Sequence, residues 1–172
     1  LPASCAPGTF AVANLDPTAP LECALCSPGF ECPGGTSAAK QCRPGTSGGA
    51  VGLDACPPCA AGSYQTMSGT TSCQACEPGS YCSVGAPAPL PCASGSYSSA
   101  TNLTSAAECT PTAAGFFAPT GSTEQIACAA GTIGPVGGLS SCVACHGGTY
   151  QGVPGSTACV ACVAGSYCPT GA

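Results

Sequence analysis

Cysteine recurs at short intervals along the whole chain, and no other feature of the sequence restricts the possible folds as strongly. There are 18 cysteines among 172 residues, a density typical of disulfide scaffolds in oxidising compartments. Leu, Ile, Val and Phe together number only 22, which is too few for an ordinary hydrophobic core. We therefore expect crosslinks to replace a core, in a secreted protein that is extracellular or on the cell surface.

The cysteines belong to a tandem repeat built from two half-motifs. The first is Cys-x-x-Gly followed by Ser or Thr and then an aromatic residue, as in "CAAGSY" and "CEPGSY". It starts at Cys5, Cys26, Cys42, Cys59, Cys76, Cys92, Cys128, Cys145 and Cys162. The second is a Gly and a Ser/Thr-rich stretch followed by Cys-x-x-Cys, as in "SGTTSCQAC" at 68–76. An early glycine, a late glycine and polar residues between them predict a small irregular hairpin.

The longest gap between neighbouring cysteines, 109–128, contains a degenerate repeat without cysteine at 112–125. Thr112 stands where the opening cysteine is expected in "TAAGFF", and Gln125 stands where the closing cysteine is expected in "QIAC". The loss of both is expected if the two cysteines of a repeat bond to one another, because losing one alone leaves a free thiol. This sequential scheme predicts nine bonds: Cys5–Cys23, Cys26–Cys32, Cys42–Cys56, Cys59–Cys73, Cys76–Cys82, Cys92–Cys109, Cys128–Cys142, Cys145–Cys159 and Cys162–Cys168. The short loops leave an alternative open, a Cys32–Cys42 bond with rearranged neighbours.

Some of the cysteines also have a spacing close to that of zinc ribbons. The form Cys-x2-Cys-x13-Cys-x2-Cys occurs at Cys56, Cys59, Cys73 and Cys76 and again at Cys142, Cys145, Cys159 and Cys162, and similar spacing is found in zinc sites. If the cysteines bound zinc, Cys109 and Cys128 on either side of the cysteine-free repeat would lack partner ligands. We therefore favour disulfides and expect no metal and no cofactor. His146 is interpreted as an exposed loop residue, the carboxylates are scattered singly, and no enzyme is expected.

The repeats fall into three cysteine-rich blocks, 5–32, 42–82 and 92–168, each ending in a short loop such as "CEPGSYC". The joints at 33–41 and 83–91 are interpreted as extended, polyproline-like spacers, with an ordered irregular loop as the alternative. Because such repeats contact only their sequence neighbours, the predicted fold class is small and disulfide-rich: an extended rod of tandem short irregular β-hairpin loops with almost no helix.

Charge and hydropathy restrict the possible partners. The formal net charge is −5, and Lys40 and Arg43 are the only basic residues besides His146, so the positive surface that nucleic acid requires is absent. No apolar run is long enough to span a membrane. Asn102-Leu103-Thr104 is an N-glycosylation sequon in the Cys92–Cys109 loop, where exposure is expected. Covalent glycans are therefore expected, with "PTAP" at 17–20 and "APAPLP" as candidates for O-linked sugar.

The repeat resembles the ephrin-receptor-like cysteine-rich repeats that are expanded in large surface proteins of protists and algae. The resemblance rests on Cys-x-x-Gly-[Ser/Thr]-Tyr, a Gly-Thr/Ser stretch and Cys-x-x-Cys, and it covers nearly the whole chain. Ser47, Ile133 and the cysteine-free repeat depart from the pattern. The resemblance implies extracellular stalks, adhesion and matrix roles, and receptor ectodomains, and it implies no catalytic residues.

The sequence thus predicts a structural protein of a glycosylated fibre, appendage or cell coat. The alternative is a ligand-binding or adhesive ectodomain stalk of a cell-surface receptor. Laid end to end, the two termini place eight residues between Cys168 and the next Cys5, close to the nine of an interior joint. This near-match predicts self-association head to tail along a fibre, since heterologous contacts propagate without closing; the alternative is an arbitrary window of a longer repeat protein.

Overall fold

Short antiparallel hairpins follow one another along the protein. The computed structural model describes residues 4–12, 22–35 and 38–172. The strands are β1 Thr9–Val12, β2 Glu22–Leu25, β3 Phe30–Glu31, β4 Lys40–Gln41, β5 Ser63–Tyr64, β6 Gln74–Ala75, β7 Ser80–Tyr81, β8 Leu90–Pro91, β9 Ser96–Tyr97, β10 Thr110–Pro111, β11 Phe116–Phe117, β12 Ile126–Ala127, β13 Thr132–Ile133, β14 Val143–Ala144, β15 Thr149–Tyr150 and β16 Val160–Ala161. One 3₁₀ turn, Ala106–Glu108, is the helical element of the described residues. The predicted class of small disulfide-rich tandem hairpins is confirmed.

The hairpins belong to two compact units. The first unit comprises residues 1–76 and 82–89. It contains the strand pairs β1–β2, β3–β4 and β5–β6 and an isolated bridge between Thr46 and Pro58. The second unit comprises residues 77–81 and 90–172 and contains the strand pairs β7–β8, β9–β10, β11–β12, β13–β14 and β15–β16. In each unit every strand pairs with its sequence neighbour, so the pairing is local throughout.

The early glycine of a repeat has to be glycine for two reasons. Gly45 in the first unit and Gly115 in the second have φ of +82° and +87°, in the left-handed region that side chains disfavour. A methyl group on Gly45 would collide with the carbonyl oxygen of Gly85, and one on Gly115 would collide with that of Gly155. Each of these contacts reaches the repeat after the next one, so the expectation that repeats contact only their sequence neighbours is wrong. The recurring glycine therefore allows both the turn and the close packing of repeats.

Backbone hydrogen bonds join each repeat to the following one. The N–H of Gly45 donates to the Gln65 carbonyl at 2.7 Å, and the N–H of Gly69 donates back to the Cys42 carbonyl at 2.8 Å. In the second unit the N–H of Gly131 donates to the Gln151 carbonyl at 2.7 Å. These bonds satisfy turn amides that two-residue strands leave without a partner inside their own hairpin.

Buried side chains are mostly cysteines rather than large apolar residues. The largest fully buried ones among the described residues are Cys26, Cys32, Cys42, Cys59, Cys76, Cys82, Cys92, Cys128 and Cys145. Small clusters complete the interior: Tyr64 and Ala86 lie against the Cys76–Cys82 pair, and Leu103 lies against Cys92 and Cys109. Crosslinks thus occupy the place of a conventional core.

The segments predicted as joints are parts of hairpins. The joint 33–41 includes β4, which pairs with β3, and the joint 83–91 includes β8, which pairs with β7. In the second joint the N–H of Gly85 donates to the Cys59 carbonyl at 2.8 Å, and Ala86 is buried. The spacer interpretation is wrong for 83–91, because Gly85 takes the place of the late glycine of a repeat, and an ordered loop results. Residues 36–37 of the first joint lie outside the described residues, and the three-block division stays a prediction.

Candidate functional site

Each disulfide joins the first cysteine of a repeat either to a cysteine in the second half of that repeat or to the cysteine six residues further on. The structure joins Cys5–Cys23, Cys26–Cys32, Cys42–Cys56, Cys59–Cys73, Cys76–Cys82, Cys92–Cys109, Cys128–Cys142, Cys145–Cys159 and Cys162–Cys168. These are the pairs of the sequential scheme, and their Cα–Cα distances run from 5.5 to 6.2 Å, within the range that a disulfide requires.

The cysteines with zinc-like spacing are separated into different bonds. Cys56 is bonded to Cys42, Cys59 to Cys73, and Cys76 to Cys82, so this group does not converge on one point. Over 4–12, 22–35 and 38–172, no three His, Cys, Asp or Glu side chains are grouped to hold a metal ion, and no pocket is formed. His146 is exposed, with Nδ1 3.1 Å from the Gly147 carbonyl oxygen.

The sequon asparagine is at the tip of the Cys92–Cys109 loop. Asn102 is exposed and has φ of +62°, the one left-handed residue other than glycine in the described chain. It takes the place that Gly85 and Gly121 hold in the neighbouring repeats, which have φ of +70° and +75°. Asparagine tolerates this conformation better than most residues. Asn102 therefore has a structural role in the turn that the sequon alone did not indicate.

The residues that follow Asn102 are held by Glu108. One Glu108 carboxylate oxygen accepts from the Thr104 hydroxyl, from the Thr104 N–H at 3.0 Å and from the Ser105 N–H at 3.2 Å. Ser105 begins the 3₁₀ turn, so this is a capping arrangement. The hydrogen bonds from Thr104, and then those from Ser105, hold the pKa of Glu108 below its ordinary value.

In the cysteine-free repeat, the two residues at the cysteine positions form side-chain hydrogen bonds. Thr112 is 3% exposed, and its hydroxyl oxygen accepts from the Leu139 N–H at 3.1 Å. The side-chain carbonyl of Gln125 accepts from the Ala113 N–H at 2.8 Å. Thr112 and Gln125 thus take the places predicted for the opening and closing cysteines. The Ala113–Gln125 bond links the two ends of the repeat, whereas the Thr112 hydroxyl links the repeat to the next one.

Exposed apolar side chains occupy equivalent strand positions in the second unit. Leu90, Ile126, Val143 and Val160 each begin the second strand of a hairpin and are 44–51% exposed. In β12, β14 and β16 they pair with Phe117, Ile133 and Tyr150 across the strands. Scattered exposed apolar residues are common on protein surfaces, so these positions are notable only because they recur.

No protein-family model and no curated protein matches the chain. The helical turn in the described part of the protein has three residues, and no helix there is long and apolar enough to cross a bilayer. The resemblance to ephrin-receptor-like repeats stays a prediction, as does the absence of enzymatic activity.

Proposed function

We propose that this protein is a structural extracellular repeat protein, glycosylated at Asn102, that assembles head to tail into a fibre, appendage or cell coat. Nine disulfides are typical of oxidising compartments, which supports a secreted or cell-surface location. Local crosslinks that close every repeat except the cysteine-free one suit a protein exposed to proteases and mechanical load. The resemblance to surface-protein repeats points the same way.

The observation that carries assembly is the surface of the repeats that begin at Cys145 and Cys162. The early glycines of the two preceding repeats, Gly115 and Gly131, are covered by Gly155 and Gly171. In contrast, a methyl group on Gly148 or Gly165 would meet no atom within 4 Å. These two glycines thus offer the type of surface that a repeat of the same kind covers elsewhere in the molecule, and a repeat that continues the chain fits it as well as one from a second copy.

Aromatic exposure follows the same trend. Tyr64, which lies under the following repeats of the first unit, is 9% exposed, whereas Tyr167 in the repeat that begins at Cys162 is 88% exposed. Covering Tyr167 and Gly165 with the first repeat of a second copy would repeat the contacts that already exist within the chain. Such a heterologous contact extends into a filament unless its rotation closes a ring.

Sedimentation velocity of the purified, fully oxidised chain tests the proposal. We expect the mass to rise with concentration and filaments to be visible by electron microscopy. Gly165→Asn should keep the chain monomeric, because asparagine tolerates the left-handed turn (φ +84°) but fills the uncovered surface. Gly152→Ala is the matched control: its added methyl group also meets nothing within 4 Å, and it should assemble as the wild type does.

The second candidate is the ligand-binding or adhesive ectodomain stalk. The recurrent exposed apolar side chains Leu90, Ile126, Val143 and Val160 favour it, because apolar residues at the centre of an interface supply much of its binding energy. A wild-type chain that stays monomeric at every concentration would reject head-to-tail assembly and favour this candidate. Val143→Ser and Val160→Ser should then weaken adhesion to cells without unfolding the protein.

A further inference from the structure

The sequon Asn102-Leu103-Thr104 is built into the folded hairpin. Asn102 itself is exposed at the turn, but Leu103 is only 6% exposed and packs against Cys92 and Cys109. Leu103 also forms an isolated parallel bridge with Tyr81. The middle residue of the sequon is therefore buried against the disulfide that closes this hairpin.

The third residue of the sequon is engaged as well. The Thr104 hydroxyl and N–H both donate to Glu108, which also accepts from the Ser105 N–H. An N-glycan transferase recognises three consecutive residues, the asparagine amide and the Thr or Ser hydroxyl included. In the folded hairpin the amide is accessible, but the hydroxyl is already bonded and the intervening leucine is buried.

From this geometry we infer that Asn102 receives its glycan before the Cys92–Cys109 bond closes, and that the folded hairpin is not a substrate for the transferase. The inference rests on the proposed secretory function, because the reaction needs a lipid-pyrophosphate-linked oligosaccharide as donor. The side-chain amide nitrogen of Asn102 bonds to the anomeric carbon of the sugar. The bond from that carbon to the pyrophosphate breaks, the pyrophosphate leaves with the electron pair, and the amide nitrogen loses one proton to a base.

Glycosylation and folding of this hairpin therefore compete. Transfer requires Leu103 and Thr104 to leave their contacts, and the Cys92–Cys109 bond, which spans 17 residues, restricts the conformations available to them. Once the glycan is attached, nothing prevents closure, because the side chain of Asn102 lies on the exposed side of the turn. The fraction of chains that carry a glycan on Asn102 thus reports how fast the hairpin closes relative to glycan transfer.

The first test uses chain produced without glycan and fully oxidised. Detergent-solubilised N-glycan transferase and lipid-linked oligosaccharide are added, and the glycosylated fraction is followed by mass spectrometry. The oxidised wild type should be modified at least about tenfold more slowly than the Cys92→Ser/Cys109→Ser variant, since a buried leucine must be exposed first. The reduced and alkylated wild type should be modified as fast as that variant.

The second test measures occupancy in the intact secretory pathway of a cultured eukaryotic cell. Cys92→Ser/Cys109→Ser should raise the occupancy of Asn102. Gly155→Asn supplies a matched control, because it creates Asn-Ser-Thr at the equivalent turn (φ +74°) of the repeat that begins at Cys145. The N–H of Gly155 donates to Cys128 rather than to Cys92, so its occupancy should not change when Cys92 and Cys109 are replaced.

Two results would overturn the inference. One is equal modification rates for the oxidised wild type and the variant without the bond. The other is an Asn102 that stays unmodified in every form, the reduced chain included, which would show that the sequon is not an acceptor at all. The first result leaves the proposed function unchanged, whereas the second also removes the glycan from it. Neither bears on the sedimentation test, so head-to-tail assembly and the order of glycosylation and closure fail separately.

Discussion

The cysteine-free repeat and the repeat that follows it form the same hairpin with different connections. β11 and β12 pair with Phe117 opposite Ile126, and β13 and β14 pair with Ile133 opposite Val143. The early glycines also match: the Gly115 N–H donates to the Gly134 carbonyl at 2.8 Å and the Gly131 N–H to the Gln151 carbonyl at 2.7 Å. Only the second of these hairpins contains a disulfide, Cys128–Cys142.

This difference separates what defines the hairpin from what stabilises it. The left-handed turn and the hydrogen bonds to the next repeat are common to both hairpins, so they define the local geometry. The disulfide adds stability by restricting the unfolded chain, by about 3 kcal/mol for a loop of this length. In the cysteine-free repeat, the hydrogen bond from the Ala113 N–H to Gln125 links the two ends, and the Thr112 hydroxyl accepts from Leu139 of the next repeat.

The largest expected effect comes from the turn glycine. Gly115→Ala should destabilise the protein by about 2 to 5 kcal/mol, because it adds the strain of a left-handed side chain to a collision with the Gly155 carbonyl. Urea denaturation monitors the loss. Gly148→Ala is the control, because it has the same left-handed turn (φ +84°) but its methyl group would meet no atom within 4 Å. It should cost less; equal effects of the two substitutions would show that the close packing of Gly115 is unimportant.

Restoring the missing bond should produce the next largest effect. Thr112→Cys/Gln125→Cys creates a pair separated by 13 residues, close to the 14 of Cys128–Cys142. We expect a tenth disulfide that raises the free energy of unfolding by about 3 kcal/mol, measured in urea with and without reductant. Thr112→Ser/Gln125→Ser is the control without a bond. Persistent free thiols at 112 and 125 would contradict the equivalence of the two repeats.

Removing one hydrogen bond should have a smaller effect. Thr112→Val preserves the shape of the buried side chain but leaves the Leu139 N–H without its acceptor, at a cost of about 1 to 3 kcal/mol. Thr112→Ser retains the hydroxyl and should cost less than the valine substitution. If thermal unfolding showed valine to be the milder change, the Thr112 hydroxyl would not be what holds the cysteine-free repeat to the next one.

Acid should produce the smallest effect, at the Cys92–Cys109 loop. The pKa of Glu108 is lowered in the folded state by hydrogen bonds from Thr104 and Ser105. Its contribution to stability is therefore fully present above the ordinary carboxyl pKa and is lost as the pH falls through the lowered value. NMR should show the Ser105 amide signal shifting over that interval, whereas in Glu108→Gln it should not move.

The sequence predicted the cystine pattern and the hairpins because both depend on contacts within a repeat. Thr112 and Gln125 could be assigned from spacing alone for the same reason. The ordered conformation of 83–91 could not be predicted in this way, because it depends on contacts that Gly85 and Ala86 make with Cys59 and Tyr64 of the preceding repeat. The structural role of Asn102 was also missed; aligning it with Gly85 and Gly121 would have revealed that it occupies a glycine position.

Hydrogen exchange of the wild-type protein tests most directly whether a repeat without a disulfide is folded like its neighbours. The Gly115 and Cys128 amides donate to the carbonyls of Gly134 and Gly115 at 2.8 and 2.9 Å. The equivalent amides of Gly131 and Cys145 donate to the carbonyls of Gln151 and Gly131 at 2.7 and 2.9 Å. We expect all four amides to be strongly protected from exchange. Exchange of the Gly115 and Cys128 amides at the rate of an unfolded peptide, while those of Gly131 and Cys145 stay protected, would contradict the account.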